Sequence, residues 1–215
     1  MRPMAPTVLF DLDGTLIDSI ELIVRSHRHA HQELLGITPT REEILAHVGR
    51  PLLEVYADGG REQAEVDRLV ACYRDYNLVH HDAMVQPYPG VGAMLEGLQA
   101  LGVRLAIVTS KVSELARRGL ECCGLSQHFE VIVGGDHVRC GKPAPEPVLL
   151  ALERLGAEAK NALFVGDSIH DMHAGRAAGV RTAAALWGPF PREALQPAAP
   201  DYWLSEAAEL IRITR

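Results

Sequence analysis

Residues 7–19 read TVLFDLDGTLIDS: an apolar run, then two aspartates at alternating positions, Asp11 and Asp13, closed at once by Gly14 and Thr15. The TVLF run predicts a buried strand, and strands covered on both faces belong to parallel sheets. In an open parallel sheet, ligands bind beyond the carboxyl ends of the strands. Asp11 and Asp13 fall at such an end. Neighbouring carboxylates repel, so the pair requires a cation, a shared proton or solvent. Mg²⁺ answers the first requirement, because this hard ion takes oxygen ligands and carries substrate phosphates with it. A solvated acidic turn answers the last, Asp-Gly being a common turn dipeptide. These residues alone leave both readings open.

Downstream, short β-branched runs alternate with helical periodicity: RLAIVTS (104–110), EVIVGG (130–135), ALFVGDS (162–168), RTAAAL (181–186) and DYWL (201–204). Between them lie helix-like stretches near 91–101, 112–122, 145–155 and 169–178, closed by Gly102, Gly124, Gly156 and Gly179. This alternation predicts an α/β fold, a Rossmann-like doubly wound parallel sheet. Residues 18–82 break the pattern. They hold no convincing strand, their apolar positions (Ile20, Val24, Leu34) follow helical spacing, and Thr40 with Glu43 forms a capping box. They are expected to form an all-helical cap domain (18–82) inserted into a core domain (1–17 and 83–215), with PYPG (87–90) as a hinge. The proline-rich 188–203 segment reads as a surface connection into the last strand.

The other strand ends also carry residues suited to phosphate chemistry. Thr109 and Ser110 could donate hydroxyls to a phosphoryl oxygen beside a helix N-terminus, or simply cap that helix. Lys142 lies between Gly141 and Pro143, a rigid context that would aim its ammonium; a surface lysine is the alternative. Asp167 and Asp171, four residues apart, can share one side of a turn, or Asp167 can cap the following helix. Taken together, Asp11, Asp13, Asp167 and Asp171 would hold a divalent cation while Lys142, Thr109 and the metal neutralise a phosphoryl group.

In that order the motifs DLDGT (11–15), VTSK (108–111), GKPAPEP (141–147) and GDSIHD (166–171) resemble those of the haloacid dehalogenase (HAD) superfamily, over essentially the whole chain. The insertion resembles the helical cap of the subgroup containing phosphoglycolate phosphatases, β-phosphoglucomutases, phosphonatases and a small pyrophosphatase. YRDYN with HHDAMV and VTSKVSELARRGLE look most like that pyrophosphatase. The resemblance implies that Asp11 is the nucleophile and that Asp13 protonates the leaving oxygen, then activates water. It also implies Mg²⁺ bound by Asp11, the Asp13 carbonyl and Asp167, supported by Asp171, with Thr109 and Lys142 on the phosphoryl oxygens. In GRPL (49–52), a cap loop, Arg50 would clamp a substrate carboxylate or second phosphate, or stand exposed.

The resulting expectation is a Mg²⁺-dependent phosphatase for a small phosphorylated metabolite, phosphoglycolate phosphatase-like, with pyrophosphate hydrolysis the closest competitor. A sugar-phosphate mutase and a non-catalytic phospho-ligand-binding module are the further alternatives. A phosphonatase is disfavoured, because the only lysines, Lys111, Lys142 and Lys160, lie outside the predicted cap.

Composition narrows the partners. The 215 residues are 47% hydrophobic and 23% charged, ordinary globular values, and 28 Asp and Glu against 21 scattered Lys and Arg argue against nucleic acid. No apolar run reaches membrane-spanning length, and MRPMAPTVLFDLDGT meets acid before a signal-type stretch develops, so a soluble, unexported, cytoplasmic protein is expected. The four cysteines lack a C-x-x-C pair and read as free thiols. His27 and His31 are spaced for metal ligation, but polar helix positions or substrate-facing imidazoles are the preferred reading. GGDHVRCGK departs from the P-loop spacing, and GVGAML lacks the third glycine of a dinucleotide fingerprint. Oligomeric state is not legible.

Overall fold

The structure, a computed structural model, describes residues 6–214; residues 1–5, which carry part of the N-terminal reading above, and residue 215 lie outside the described residues. The chain opens with β1 (Thr7–Phe10), then a two-residue strand β2 (Ile17–Asp18). Four helices follow: α1 (Ile20–Leu35), α2 (Arg41–Leu45), α3 (Leu52–Ala57) and α4 (Gln63–Met84). A second short strand, β3 (Gln86–Pro87), leads into α5 (Val91–Ala100), β4 (Arg104–Val108), α6 (Ser113–Cys122) and β5 (Val131–Val133). Then come α7 (Glu146–Leu155), β6 (Ala162–Gly166), α8 (Ile169–Ala177) and β7 (Arg181–Ala185). The chain closes with α9 (Arg192–Leu195), β8 (Tyr202–Leu204) and α10 (Glu209–Ile213).

Six strands form one parallel sheet in the order β5-β4-β1-β6-β7-β8, so the strand carrying Asp11 at its end is central. Side chains alternate across the sheet. Val8 and Phe10 pack with Met94, Leu95 and Leu98 of α5 and Leu120 of α6; Leu9 packs on the opposite face with Val148, Ala151 and Leu155 of α7 and Ala174 of α8. Helices on both faces explain why these strands are apolar throughout instead of alternating with polar residues. The doubly wound sheet expected from the sequence is the one observed.

The inserted helices have small apolar clusters of their own. Tyr56, Val66, Leu69 and Val70 pack with Ala30, while Ile20 and Val24 meet Ile44 and Val48. Thr40 and Glu43 form the capping box read from the sequence: the Glu43 N–H donates to Thr40 Oγ1 and the Thr40 N–H to Glu43 Oε2. The helical segment is framed by an antiparallel pairing of Ile17 with Pro87 and Asp18 with Gln86. That ribbon escaped the sequence reading because each strand has two residues, too few to show a period, and one of them is proline. The last inserted helix, α4, runs to Met84, two residues before the ribbon's second strand.

One expectation needs correction. The 188–203 segment is more than a surface connection: Phe190 packs against both the α1–α2 cluster and the cluster beneath β7, where Leu195 and Ala198 are buried, and just before the segment Trp187 Nε1 donates to the Thr15 carbonyl at 2.8 Å. No helix among the described residues is long and apolar enough to cross a membrane.

Candidate active site

The carboxyl ends of β1, β4 and β6 converge. The Asp11 N–H donates to the Val165 carbonyl, continuing the β1–β6 ladder one residue past the strand and fixing the side chain at its tip. Lys142, only 2% exposed, places its Nζ 2.9 Å from Asp11 Oδ1, 2.6 Å from Asp171 Oδ1 and 3.4 Å from the Val108 carbonyl. Its reading as a surface lysine is thereby replaced: the loop before α7 buries it between two carboxylates. Burial works against its charge, but Asp11 and Asp171 outweigh that and hold the ammonium firmly protonated.

Asp171 sits in the first turn of α8. The helix is capped by Ser168, whose hydroxyl accepts from the Asp171 N–H and in turn donates to Asp171 Oδ2 at 2.6 Å. Asp167 is therefore not the cap. It instead accepts a 2.6 Å hydrogen bond from Thr15 through Oδ1, while its Oδ2 is buried without any partner. Gly14, at φ +87°, makes this approach possible, because a Cβ there would lie 2.5 Å from Asp167 Oδ2.

Carboxylate oxygens of Asp11, Asp167 and Asp171 lie within 4.8 Å of one another. Three buried carboxylates against one ammonium leave an excess of negative charge. Burial, only partly offset by Lys142, pushes Asp11 up to about 7; burial, Asp171 and Asp11 together raise Asp167 well above the ordinary carboxyl range. An all-oxygen donor set with an unpartnered Asp167 oxygen and surplus anionic charge suits a hard divalent cation. Such an ion would relieve both strains.

Asp13 has a different setting. Its Oδ1 accepts from Lys111 Nζ at 2.7 Å and from the Ser19 hydroxyl at 2.6 Å. Burial opposes ionisation, but the Lys111 charge and hydrogen bond prevail and hold this carboxyl below its usual range. The sequence motifs assign no role to Ser19 or to Lys111, although Lys111 closes VTSK (108–111). Lys111 adjoins the Thr109–Ser110 pair, and that adjacency was the available signal.

Asp11 and Asp13 open into a cavity of about 300 Å³ shared between the core and the inserted helices, lined also by Thr109, Ser110, Arg50 and Asn77. Thr109 is buried, and its Oγ1 accepts from the Lys111 N–H. Neither Thr109 nor Ser110 caps α6, whose N-cap is Val112. Ser110 donates instead to the Gly49 carbonyl at 2.7 Å, tying the GRPL loop to the core. Arg50 lines the cavity, but its guanidinium makes a two-pronged pair with Asp58 at 2.6 and 3.1 Å. His27 lies against Tyr56 and Tyr73 at ring-centroid distances of 5.3 and 4.8 Å, and burial pushes it down to about 3, leaving it neutral.

The family model for haloacid dehalogenase-like hydrolases matches residues 8–185. Pyrophosphatase PpaX of Bacillus pumilus is 41% identical over 207 residues, covering 96% of this chain and 95% of that protein; PpaX of Bacillus velezensis is 39% identical with the same coverage. Among solved structures, a haloacid dehalogenase-like family hydrolase from Streptococcus pneumoniae superposes with a TM-score of 0.87 at 25% identity, covering 98% of this chain and 99% of that one.

Proposed function

The chain belongs to the haloacid dehalogenase-like hydrolases and is a phosphatase-type hydrolase, and on that footing we propose that it cleaves a small phosphorylated substrate, inorganic pyrophosphate foremost, through a phosphorylated Asp11. The observation that carries this reading is the buried Asp11–Lys142–Asp171 array beside the unpartnered Asp167 oxygen.

In this reading an Asp11 oxygen attacks phosphorus in line, the bond from phosphorus to the leaving oxygen breaks, and an acyl phosphate forms. Lys142 compensates charge behind the nucleophile, and the Thr109 hydroxyl faces the transferring oxygens. Asp11, Asp167 and the Asp13 carbonyl, supported by Asp171, would hold Mg²⁺. When bound, that ion supplies charge neutralisation for the transferring group. Water then attacks phosphorus, Asp13 takes its proton, and Asp11 is regenerated.

Pyrophosphate asks less of Asp13 than a phosphate monoester does. Paired with Lys111 at 2.7 Å, its carboxyl lies below the usual range, which suits a base. A departing phosphate is stable as an anion and needs no proton, whereas an alkoxide does. The relatives named as pyrophosphatases support pyrophosphate, and phosphoglycolate stands beside it as the second substrate to test. Arg50 and Ser110 stand at the joint between cap and core, where Arg50 would meet substrate by exchanging its Asp58 partner.

The test is phosphate release from pyrophosphate and from phosphoglycolate with purified protein and Mg²⁺. A higher kcat/KM for pyrophosphate, abolished by chelator and restored by Mg²⁺, is expected. Release from neither compound refutes the proposal; isomerised sugar phosphate without net release would point to a mutase instead.

A further inference from the structure

The cationic groups around the cavity are not equivalent. Lys111 is paired with Asp13, Arg50 with Asp58, and Lys142, behind Asp11, with two carboxylates. Arg74 of α4 also lines the cavity and is half-buried, yet it makes no ion pair or side-chain hydrogen bond among the described residues. A guanidinium at the wall of a partly enclosed cavity keeps five donors available.

One helical turn further along α4, Asn77 lines the same cavity and is only 2% exposed. Its Nδ2 donates to Ser26 Oγ at 3.2 Å, and Ser26 directs its own proton to the Leu22 carbonyl. This chain of donation fixes the carboxamide orientation and leaves Asn77 Oδ1 buried without a partner. One face of α4 thus offers an uncompensated cationic fork and, a turn away, a vacant acceptor. An anionic phosphoryl or carboxylate group matches the fork, whose donors reach two oxygens at once.

We propose that Arg74 is a specificity-determining residue that binds the anionic leaving group, so that the cavity selects phosphoryl compounds whose leaving group itself carries a phosphoryl or carboxylate oxyanion. This deepens the hydrolase reading above and rests on it. Arg74 takes no part in bond making; it contributes charge where the leaving group lies, while Asp11 and Lys142 act at the transferring phosphorus.

The experiment compares Arg74→Gln, Arg74→Lys and Arg50→Gln with the unmodified protein on pyrophosphate, phosphoglycolate and p-nitrophenyl phosphate, whose leaving group has no second oxyanion. Loss of a charge-assisted hydrogen bond corresponds to about 10- to 100-fold. Arg74→Gln is expected to lower kcat/KM for pyrophosphate by that factor, chiefly through KM. The loss should be at least about tenfold larger than for p-nitrophenyl phosphate. Arg74→Lys restores part of it, because charge returns without the fork. Equal losses on all substrates, no loss on any, or selective loss in Arg50→Gln instead would overturn the assignment. An unmodified protein inactive on all three compounds would fell the hydrolase reading itself; activity with unselective Arg74 variants would fell only this inference. Thermal melts of each variant separate a binding defect from misfolding, and Arg74→Lys retains the helix-compatible stem if Arg74→Gln melts early.

Discussion

At the tips of β1 and β6 charge is sealed in: Lys142, Asp11, Asp167 and Asp171 are each at most 4% exposed and held by partners from the segment after β1, the loop before α7 and the β6–α8 connection. Across the cavity, Arg50 just before α3 and Arg74 of α4 are half-buried, Arg50 paired with the exposed Asp58 and Arg74 without an ion-pair partner among the described residues. The two sets differ in what a substitution there disturbs. A buried ion among unlike charges cannot be removed without leaving its partners uncompensated in a low-dielectric setting. A rim charge can be exchanged with water filling in. The floor is thus suited to invariant chemistry, and the wall to a choice among leaving groups.

The contrast can be broken most forcefully at the floor. Asp11→Asn keeps the size of the side chain and removes the nucleophile, so turnover should fall by roughly 10⁴-fold or more with the fold intact; steady-state assays showing near-normal kcat would end the role given to Asp11. Lys142→Met leaves three carboxylates without their ammonium, and urea denaturation should show a loss of about 3–5 kcal/mol. An unchanged midpoint would mean that the buried array does not depend on Lys142. Gly14→Ala forces a positive φ on alanine and drives a methyl toward Asp167, with an expected destabilisation of about 1–3 kcal/mol. Mg²⁺ titration should show weaker binding in the same variant.

At the joint, Ser110→Ala removes the hydrogen bond to Gly49, at about 0.5–1.5 kcal/mol, and should raise KM more than it lowers kcat. The smallest effect is expected on the outer surface, where Asp82 of α4 pairs with Arg118 of α6 at 3.0 Å. Arg118, then His81, lowers the Asp82 carboxyl to about 2. The stabilisation is full above the ordinary carboxyl range and is lost as pH falls from about 4 through 2. Because the pair is exposed and solvent-screened, Arg118→Ala should change stability only slightly, a difference between variant and parent that vanishes in melts below pH 2.

The sheet and the floor residues were readable because their signals repeat: apolar runs at regular intervals, each ending in a polar residue. Asp11 and Asp167 sit at such ends, with Asp171 in the first turn of α8 and Lys142 in the loop before α7, and parallel topology brings strand ends together. What could not be read depends on pairing between distant side chains. Nothing near Arg50 in the chain marks Asp58 as its partner, and nothing near Asp13 says that Lys111, 98 residues away, neutralises it. The role of Trp187 and Phe190 was hidden in the same way, since a proline-rich run looks like a connection whether or not its aromatics are packed.

The ribbon of β2 and β3 has a consequence for the ancestry and engineering of this chain. Paired residues on adjacent strands stand only about 5 Å apart, so the polypeptide leaves the sheet and comes back at nearly one point. Everything between is topologically a detour whose two ends stay together whatever its length, and an exchanged module would have to replace the contacts it lends the strand tips, such as Ser19 on Asp13. A scaffold so arranged lets new substrate preferences arise by grafting at a single junction.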